Sequence, residues 1–385
     1  MLTIFCSPSR YIQGRDASHA LAQEMVRMGL TQHPLLIAGP RARQQMEPML
    51  IETFAMHQIH FDIVDFGGEC SMPEIERCKQ EAVRTGAGCI VGVGGGKVLD
   101  TAKAVANDLN LPVVCCPTIA ASDAPCSAIS VVYTPQGVFD QVLTYHRNPN
   151  LVLVDTSIIA RAPVRYLIAG MGDALSTWFE ADTVHRACKP NTVGGHSTMA
   201  ALAIARLCYQ TLLADGRAAV AAAREGAVTP ALERIVEANT LLSGLGFESG
   251  GLAVAHAVHN GLTAAPETHQ YLHGEKVAFG TLVQLILEGR TEAEIEEVMV
   301  FCAAVGLPLT LRELGIELLT PDRARMIAER AVAPGESSYN EPFALTWVAV
   351  RDAIFAADAL GRSCMARLSE ARQGGYHDVR PFSER

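Results

Sequence analysis

The chain of 385 residues lacks any run of about 18 consecutive apolar residues, the length that indicates a membrane-spanning helix. Its first residues also lack the basic region, apolar stretch and cleavage site of a secretory signal peptide. These two absences predict a cytoplasmic protein with no membrane partner. Apolar residues still make up 49% of the chain, which is enough for a well-packed globular enzyme.

Cysteine pairs at the CxxC spacing are absent, although the chain contains 11 cysteines. The cysteines are scattered through apparent strands and helices, and their total is odd, so a disulfide framework is not expected. Reduced, mostly buried thiols are the better interpretation, as in other cytoplasmic proteins.

A cluster of basic residues is also missing, and the formal net charge of the chain is −10. Binding to nucleic acid requires a concentrated surface of Lys and Arg against the phosphates. This composition therefore argues against a nucleic-acid partner. It favours a small-molecule partner instead.

Length alone predicts two domains. Up to Asp155, short apolar runs alternate with amphipathic stretches, which is typical of an α/β domain with a parallel sheet covered on both faces. A Pro/Gly turn inside residues 128–139 predicts a hairpin inserted before the last parallel strand. The expected parallel strands are 34–39, 61–66, 88–93, 112–116 and 151–155.

The second half of the sequence has a different character. Long Ala/Leu-rich segments such as 197–207 and 352–360 carry apolar residues at intervals of three and four, which predicts an all-helical domain. We place the boundary near Ala162–Pro163, giving domains of residues 1–162 and 163–385. Because the sequence shows no low-complexity linker, we expect the domains to pack directly and to form a site between them.

A glycine-rich turn, Gly94-Gly95-Gly96-Lys97, follows one predicted strand and precedes a predicted helix. Glycines allow close approach of the backbone to a ligand, and the N–H groups at a helix start favour a phosphate. The turn matches neither the dinucleotide fingerprint nor the Walker loop. A nucleotide site and an ordinary tight turn both remain open from this pattern.

Two histidines and one aspartate stand in segments that favour a metal site. His256 lies in an apolar helical stretch, His273 begins another, and Asp173 precedes an apolar run. A His/His/Asp set with open coordination positions is typical of catalytic zinc. The residues alone leave alternatives: His259 shares a helical face with His256, Asp173 is well placed as a helix N-cap, and His273 suits a surface turn.

Five long motifs resemble the bacterial glycerol dehydrogenase family, within the iron-containing alcohol dehydrogenase superfamily. The motifs are residues 94–103, 117–128, 170–181, 246–253 and 273–280, and the likeness extends from residue 11 to residue 362. The resemblance implies a dehydroquinate synthase-like architecture, in which a nucleotide-binding α/β domain precedes a helical domain and the active site lies between them. It also implies a homo-oligomer, with ring-like octamers.

The resemblance implies zinc-dependent oxidation of glycerol to dihydroxyacetone, with hydride transfer to NAD, as part of glycerol metabolism. Asp173, His256 and His273 match the zinc ligands, which leaves His259 as a neighbour, and Asp123 matches the residue that contacts glycerol. The residues that match the NAD site are Gly94, Gly95, Gly96, Lys97, Thr118, Ser127, Ile129 and Tyr133.

The sequence departs from the family pattern at three places. Ile129 stands where a leucine is expected, and Ala121 stands where the family often has a serine that meets the cofactor. Pro40 occupies the position of the usual aspartate, with Arg41 and Arg43 nearby. A carboxylate there would bind the adenosine ribose and repel a 2′-phosphate, so we hypothesise a relaxed preference that includes NADP. An ordinary solvated turn is the alternative.

Three other functions are compatible with parts of the sequence. A dehydrogenase of the same superfamily could act on another vicinal diol or a hydroxyacid. A dehydroquinate synthase-like lyase also uses NAD and zinc, but it must hold a phosphate and a carboxylate, and no basic cluster surrounds the three ligand candidates. A nucleotide-binding protein without catalysis is disfavoured by the intact ligand set.

Overall fold

The computed structural model describes residues 2–373, and this part of the chain contains eight strands. Six of them form one parallel sheet in the order β1-β8-β5-β4-β2-β3, and β6 and β7 form an antiparallel hairpin. The strands are β1 (Arg10–Gly14), β2 (Pro34–Ala38), β3 (Asp62–Asp65), β4 (Cys89–Gly94), β5 (Val113–Pro117), β6 (Ile129–Tyr133), β7 (Phe139–Thr144) and β8 (Leu151–Asp155). The predicted parallel sheet with an inserted hairpin is confirmed.

The edge strand β1 is absent from the sequence-based prediction. Its five residues are only half-buried and include Arg10 and Gln13, so they show neither the apolar run of a central strand nor a clean alternation. The strand exists because it pairs in parallel with β8, from Arg10 beside Leu151 to Gly14 beside Asp155. Tertiary pairing, not local pattern, therefore determines this element.

Helices dominate the second half of the chain, as predicted. The helices of the first half are α1 (Leu21–Met28), α2 (Pro40–Met56), α3 (Met72–Thr85), α4 (Gly96–Asp108) and α5 (Thr156–Arg161). Those of the second half are α6 (Val164–Arg186), α7 (Met199–Arg224), α8 (Pro230–Glu237), α9 (Ser243–Gly250), α10 (Val254–Leu262), α11 (His273–Leu287), α12 (Glu292–Val305), α13 (Pro321–Ala331) and α14 (Trp347–Gln373). A π-helical turn, Ala238–Leu242, joins α8 to α9.

The sheet has a separate apolar layer on each face, because successive side chains of a strand point in opposite directions. Leu36, Val91 and Leu153 pack with α1 and α2 on one face. Leu35 and Ile90 pack with α3 and α4 on the other face, and this layer continues into the helical half of the chain. The two halves of the chain therefore share the second of these apolar layers.

The neighbouring strands β2 and β4 lead into helices on opposite faces of the sheet, since α2 packs on one face and α4 on the other. In open parallel sheets, a ligand binds in the crevice that such a divergence opens at the carboxyl ends of the strands. Here the crevice is bordered by Gly39 after β2 and by Gly94 at the end of β4. Sheet topology thus points to the same place as the glycine-rich turn.

Within residues 2–373, no single helix combines the length and apolar character needed to cross a membrane. The pair formed by Pro230–Gly250 and Val254–Leu262 meets the requirement jointly, by length and composition only, and is bent by 105°.

Candidate metal centre and nucleotide crevice

Three helices bring Asp173, His256 and His273 together. Asp173 lies in the middle of α6, His256 lies in α10, and His273 is the first residue of α11. The Oδ1 atom of Asp173 is 3.5 Å from Nε2 of His256 and 3.0 Å from Nε2 of His273. Asp173 is therefore not a helix N-cap, and His273 is not an isolated surface residue.

Glycines allow the helices that carry these side chains to approach one another closely. A Cβ atom on Gly172 of α6 would lie 2.3 Å from the carbonyl oxygen of Gly274 in α11. A Cβ atom on Gly280 of α11 would likewise lie 2.3 Å from the carbonyl oxygen of Ala255, the residue before His256. Real side chains do not tolerate such distances, so glycine is required at both crossings.

The three side chains fit a zinc ion. One ligand atom from each lies within 4.8 Å of the other two. Oδ1 of Asp173 is buried and, among the described residues, has no hydrogen bond of correct geometry. Such a buried, unpartnered oxygen is costly unless a cation satisfies it. Two imidazole nitrogens and one carboxylate oxygen form a set that zinc accepts while keeping a coordination position open.

Glu180 is a further residue of the centre that was not predicted from the sequence. Its Oε2 atom is 2.7 Å from Nδ1 of His256, and its Oε1 atom accepts hydrogen bonds from the backbone N–H groups of Ala253 and His256. Glu180 follows Asp173 by seven residues, or two turns of α6, so both carboxylates lie on one face of the helix. That spacing is the only signal the sequence offers.

His259 contacts the candidate centre but is not among the three side chains that could together hold a metal ion. Its Nε2 atom is 2.9 Å from Nδ1 of His273, and its Nδ1 atom is 3.1 Å from Oδ1 of Asn260. Burial lowers the pKa of His259 well below its usual value, and the charges of His273 and Lys276 lower it further. The uncharged form of His259 is therefore favoured in its position between His273 and Asn260.

Asp123 lies beside the metal centre, in the loop after β5. Its backbone N–H approaches Oδ2 of Asp173 at 3.4 Å, and its Oδ2 atom accepts a hydrogen bond of 2.8 Å from Ser243. Burial and the charge of Asp173 raise the pKa of Asp123 well above its usual value. Burial acts in the same direction on Asp173, but the charges of His273 and His256 outweigh it and lower the pKa of Asp173. The two carboxyl groups thus have opposite protonation tendencies.

Glu341 lies near Glu180 and the first turn of α10. Its burial leads us to expect that the stability of the protein depends on pH. Glu341 is 3% exposed, and neither carboxyl oxygen has a hydrogen-bond partner within residues 2–373. Burial, followed by the charges of Glu288 and Glu180, raises the pKa of Glu341 from 4.5 to about 8. Between these values, the unfolded chain releases a proton that the folded protein retains, so rising pH costs stability.

Replacing Glu341 with glutamine is expected to remove that cost, which is about 3 kcal/mol at pH 7. The variant should unfold at a higher temperature than the parent protein at pH 7–8, whereas the difference should shrink towards zero near the ordinary glutamate pKa of 4.5. Calorimetry of both proteins across this pH range measures the effect. A pH-independent difference would contradict the argument.

The glycine-rich turn begins α4. A Cβ atom on Gly94 would lie 2.7 Å from Val98, and one on Gly95 would lie 2.9 Å from Ile119, whereas Gly96 has ordinary space. Gly95 is the N-cap of α4 and has no side chain to occupy the helix N-terminus. The first turn of α4 is thus accessible to a phosphate group.

The side chain of Lys97 lies across this turn. Its Nζ atom is 2.6 Å from Oε2 of Glu69 and 5.5 Å from the ring centre of Tyr133. The hairpin thereby contacts the start of α4. Lys97 has a protein carboxylate as its partner here, so a bound pyrophosphate must compete with Glu69 for the ammonium group.

The other residues predicted for the nucleotide site differ in how close they lie to the glycine-rich turn. Thr118 donates its backbone N–H to the carbonyl of Gly94, so it lies beside the turn, and Ile129 begins the hairpin strand β6. Ser127 is fully buried, and its hydroxyl faces the ammonium group of Lys103 at 3.5 Å. The structure therefore brings Thr118 to the turn but directs the Ser127 hydroxyl into the protein.

Lys103 holds the loop that carries Asp123. This buried lysine donates to the carbonyl oxygens of Ala124 and Ser127 at 2.9 and 3.3 Å and pairs with Asp100 at 2.9 Å. Asp100 also accepts a hydrogen bond of 3.0 Å from the N–H of Val131 in the hairpin. The Lys103–Asp100 pair therefore connects α4, the loop and the hairpin, and no sequence pattern predicts this pair.

At the other border of the crevice, Pro40 starts α2 directly after Gly39. Arg43 pairs with Asp65 at 2.9 Å and with Glu47 at 3.0 Å, so its charge is neutralised within the protein. Arg41 is exposed. Of the two arginines singled out in the sequence, Arg41 is the one whose charge faces solvent.

Comparison with known proteins agrees with this geometry. Residues 8–156 match the family of iron-containing alcohol dehydrogenases. The chain is 52% identical to glycerol dehydrogenase of Pseudomonas putida over 92% of this chain and 97% of that protein. It is 46% identical to glycolaldehyde reductase of Halobacterium salinarum over 94% of this chain and 99% of that protein.

The crystal structure of glycerol dehydrogenase from Schizosaccharomyces pombe has the same fold. It matches with a TM-score of 0.89 at 39% identity, covering 99% of this chain and 96% of that chain. The expected dehydroquinate synthase-like architecture is thereby confirmed. The chain belongs to the glycerol dehydrogenases of the iron-containing alcohol dehydrogenase family.

Proposed function

We propose that this enzyme oxidises glycerol to dihydroxyacetone, with transfer of a hydride to NAD and release of one proton. The convergence of Asp173, His256 and His273 next to Asp123 is the observation that carries the proposal. This arrangement joins a site for a Lewis acid to a carboxyl group that can orient a polyol. The relatives from Pseudomonas putida and Schizosaccharomyces pombe are glycerol dehydrogenases, which agrees with this substrate.

Asp173, His256 and His273 would hold zinc. A bound zinc ion supplies Lewis acidity, which lowers the pKa of the reacting hydroxyl so that hydride loss is feasible near neutral pH. Asp123 hydrogen-bonds a second hydroxyl of the polyol and so orients the reacting carbon. Ser243 holds the carboxyl of Asp123 at 2.8 Å and limits its rotation.

The crevice between β2 and β4 holds NAD in this proposal. The first turn of α4 binds the pyrophosphate through backbone N–H groups of Gly95, Gly96 and Lys97. Thr118, Ile129 and Tyr133 line the remainder of the cofactor, and Ser127 supports this wall from its buried position. The protein contributes position and electrostatics, while the cofactor carries the hydride.

The division into a nucleotide-binding domain of residues 1–162 and a catalytic helical domain of residues 163–385 is part of this proposal. Two features support a boundary there: α5 ends at Arg161, and α6 begins at Val164 after an extended Ala162–Pro163 segment. We also propose that the enzyme works in the cytoplasm as a homo-oligomer, with the octamer as the expected assembly. Sedimentation of the purified protein measures the assembly.

The decisive experiment is initial-rate oxidation of glycerol with NAD, before and after chelation and after zinc restoration. Activity that is lost on chelation and recovered with zinc supports both the metal site and the substrate. Absence of turnover by zinc-loaded protein would leave the fold intact and reject glycerol. Another vicinal diol or a hydroxyacid would then be the substrate to test.

A second candidate is reduction of a small hydroxyaldehyde such as glycolaldehyde. The 46% identity to the glycolaldehyde reductase of Halobacterium salinarum favours it. The same metal and cofactor sites serve both directions, because hydride transfer is reversible. Comparing kcat/KM for glycerol with NAD and for glycolaldehyde with NADH under one set of conditions separates the two functions.

Pro40 leads to a prediction about the cofactor. Since no carboxylate follows Gly39 and Arg41 is exposed, the enzyme is expected to accept NADP alongside NAD. Replacing Pro40 with aspartate should shift the ratio of kcat/KM values towards NAD by about tenfold, or roughly 1.4 kcal/mol. Side-by-side turnover with both cofactors measures this ratio. A parent enzyme that already rejects NADP strongly would contradict the hypothesis.

A further inference from the structure

The two histidine ligands differ in what supports their second ring nitrogen. Nδ1 of His256 contacts the fully buried carboxylate of Glu180 at 2.7 Å. Nδ1 of His273 contacts Nε2 of His259 at 2.9 Å, so an imidazole takes the place of a carboxylate. Outer partners of this kind fix the tautomer and ring orientation of a metal-bound histidine.

The contacts of His259 continue in one direction. Its Nδ1 atom lies 3.1 Å from Oδ1 of Asn260, whose Nδ2 atom donates to Oε2 of Glu336 at 2.8 Å. Glu336 also pairs with Arg330 of α13. The series therefore runs from the proposed metal centre to an ion pair between Glu336 and Arg330 of α13.

Metal binding at His273 would determine which ring nitrogen of His273 and of His259 carries the hydrogen, and how the Asn260 amide is oriented. If Nε2 of His273 is a ligand, its Nδ1 must carry the hydrogen and donate it to Nε2 of His259. His259 must then carry its own hydrogen on Nδ1 and donate to the Asn260 oxygen, which leaves the Asn260 amide group to donate to Glu336. Each donor thus meets an acceptor, and the series ends on an anion.

We propose that His259, with Asn260 and Glu336 behind it, is the positioning residue for the ligand His273, in the way that Glu180 is for His256. The inference rests on the proposed metal-dependent function and adds residues that supply no ligand atom. Glu180 supports one ligand with a carboxyl group, whereas the His259 series supports the other with an imidazole ring. The series also ties the metal centre to α13 through Arg330.

The test measures metal binding, not turnover. The dissociation constants of Zn²⁺ and Co²⁺ are measured by competition with a chelator, and the visible spectrum of the Co²⁺ protein reports ligand geometry. His259→Leu is expected to weaken binding by about 10- to 100-fold, the usual effect of losing an outer partner, and to change the spectrum. His259→Gln keeps one hydrogen-bond acceptor and one donor, so its metal affinity and Co²⁺ spectrum should be closer to those of the parent protein.

Two other variants make the result decisive. Asn260→Leu leaves His259 in place but removes the oxygen that accepts its hydrogen bond, so this variant should also bind metal more weakly. If His259→Leu does not fold, Asn260→Leu provides the test. Glu329→Gln, in the solvent-exposed pair with Arg325 on α13, is the matched control and should bind metal as the parent does.

Parent-like affinity and spectrum in folded His259→Leu or Asn260→Leu would overturn the inference. Asp173→Asn measured in the same way separates this failure from failure of the proposed function. If Asp173→Asn loses the metal and the His259 variants keep it, only the positioning role is wrong. If Asp173→Asn also binds normally, the metal site itself is wrong.

Discussion

Replacement of Asp173 by asparagine is expected to abolish tight zinc binding and to lower kcat for glycerol by about 1000-fold or more, because several kcal/mol of metal-ion stabilisation is lost. Asp173 supplies the only carboxylate of the ligand set, and it is 1% exposed. Asparagine keeps the size of the side chain but removes the charge that attracts the cation. Metal analysis of the purified variant and its initial rates measure both effects.

Asp182→Asn is a matched control for that experiment. Asp182 lies nine residues further along α6 and pairs with Arg186 and Arg290, away from the ligand set. This variant receives the same chemical change on the same helix and should retain its zinc and most of its activity. Parent-like zinc content and rate in Asp173→Asn would refute the assigned metal centre.

The sequence indicates the proposed ligand set more directly than it indicates the residues around that set. Asp173, His256 and His273 stand in long motifs, and their residue types are those that bind zinc. Glu180 carries no such signal, because a glutamate two helical turns after an aspartate is common on ordinary helices. By spacing alone His259 competes with His256 as a ligand candidate, and only the packing of α11 against α10 shows that Nε2 of His259 contacts Nδ1 of His273.

The fold shows the same contrast. Buried strands such as β4 and β5 are continuous apolar runs, so their positions were predictable from local sequence. The edge strand β1 depends on pairing with β8 and has no such pattern. Ser127 matches a family position, yet its hydroxyl faces Lys103, because a buried ammonium group needs acceptors from the protein around it. Local sequence pattern predicts helices and buried strands, whereas contacts between distant segments determine the hydrogen-bond partner of each polar group.

Gly274→Ala is expected to damage the site without touching a ligand. The new Cβ atom would lie 1.8 Å from the carbonyl oxygen of Ala169 and 2.8 Å from the backbone nitrogen of Asp173. Both are backbone atoms of α6 and cannot rotate away, so α11 must move away from α6. His273 adjoins Gly274 at the start of α11 and moves with it, which separates the imidazole from Asp173.

Two effects of the Gly274→Ala replacement act on stability in opposite directions. Alanine is favoured over glycine inside a helix by about 1 kcal/mol, whereas overpacking costs about 1–3 kcal/mol or more. Contact with rigid backbone makes the second effect larger, so we expect a lower unfolding temperature. A misplacement of about 1 Å also costs about 100-fold in rate. Weaker Zn²⁺ binding should accompany this loss, because the three ligand atoms no longer converge.

Gly14→Ala provides the comparison, since no heavy atom lies within 4 Å of the Cβ position at Gly14. Its unfolding temperature should stay unchanged or rise slightly, because alanine restricts the unfolded chain. Calorimetry and chelator competition on both variants distinguish a local clash from a general effect of losing glycine. If Gly274→Ala matches the parent in both measurements, close packing of α6 and α11 does not determine the metal centre. If Gly274→Ala lowers both the unfolding temperature and the Zn²⁺ affinity, the ligand geometry depends on a glycine that takes no part in the chemistry.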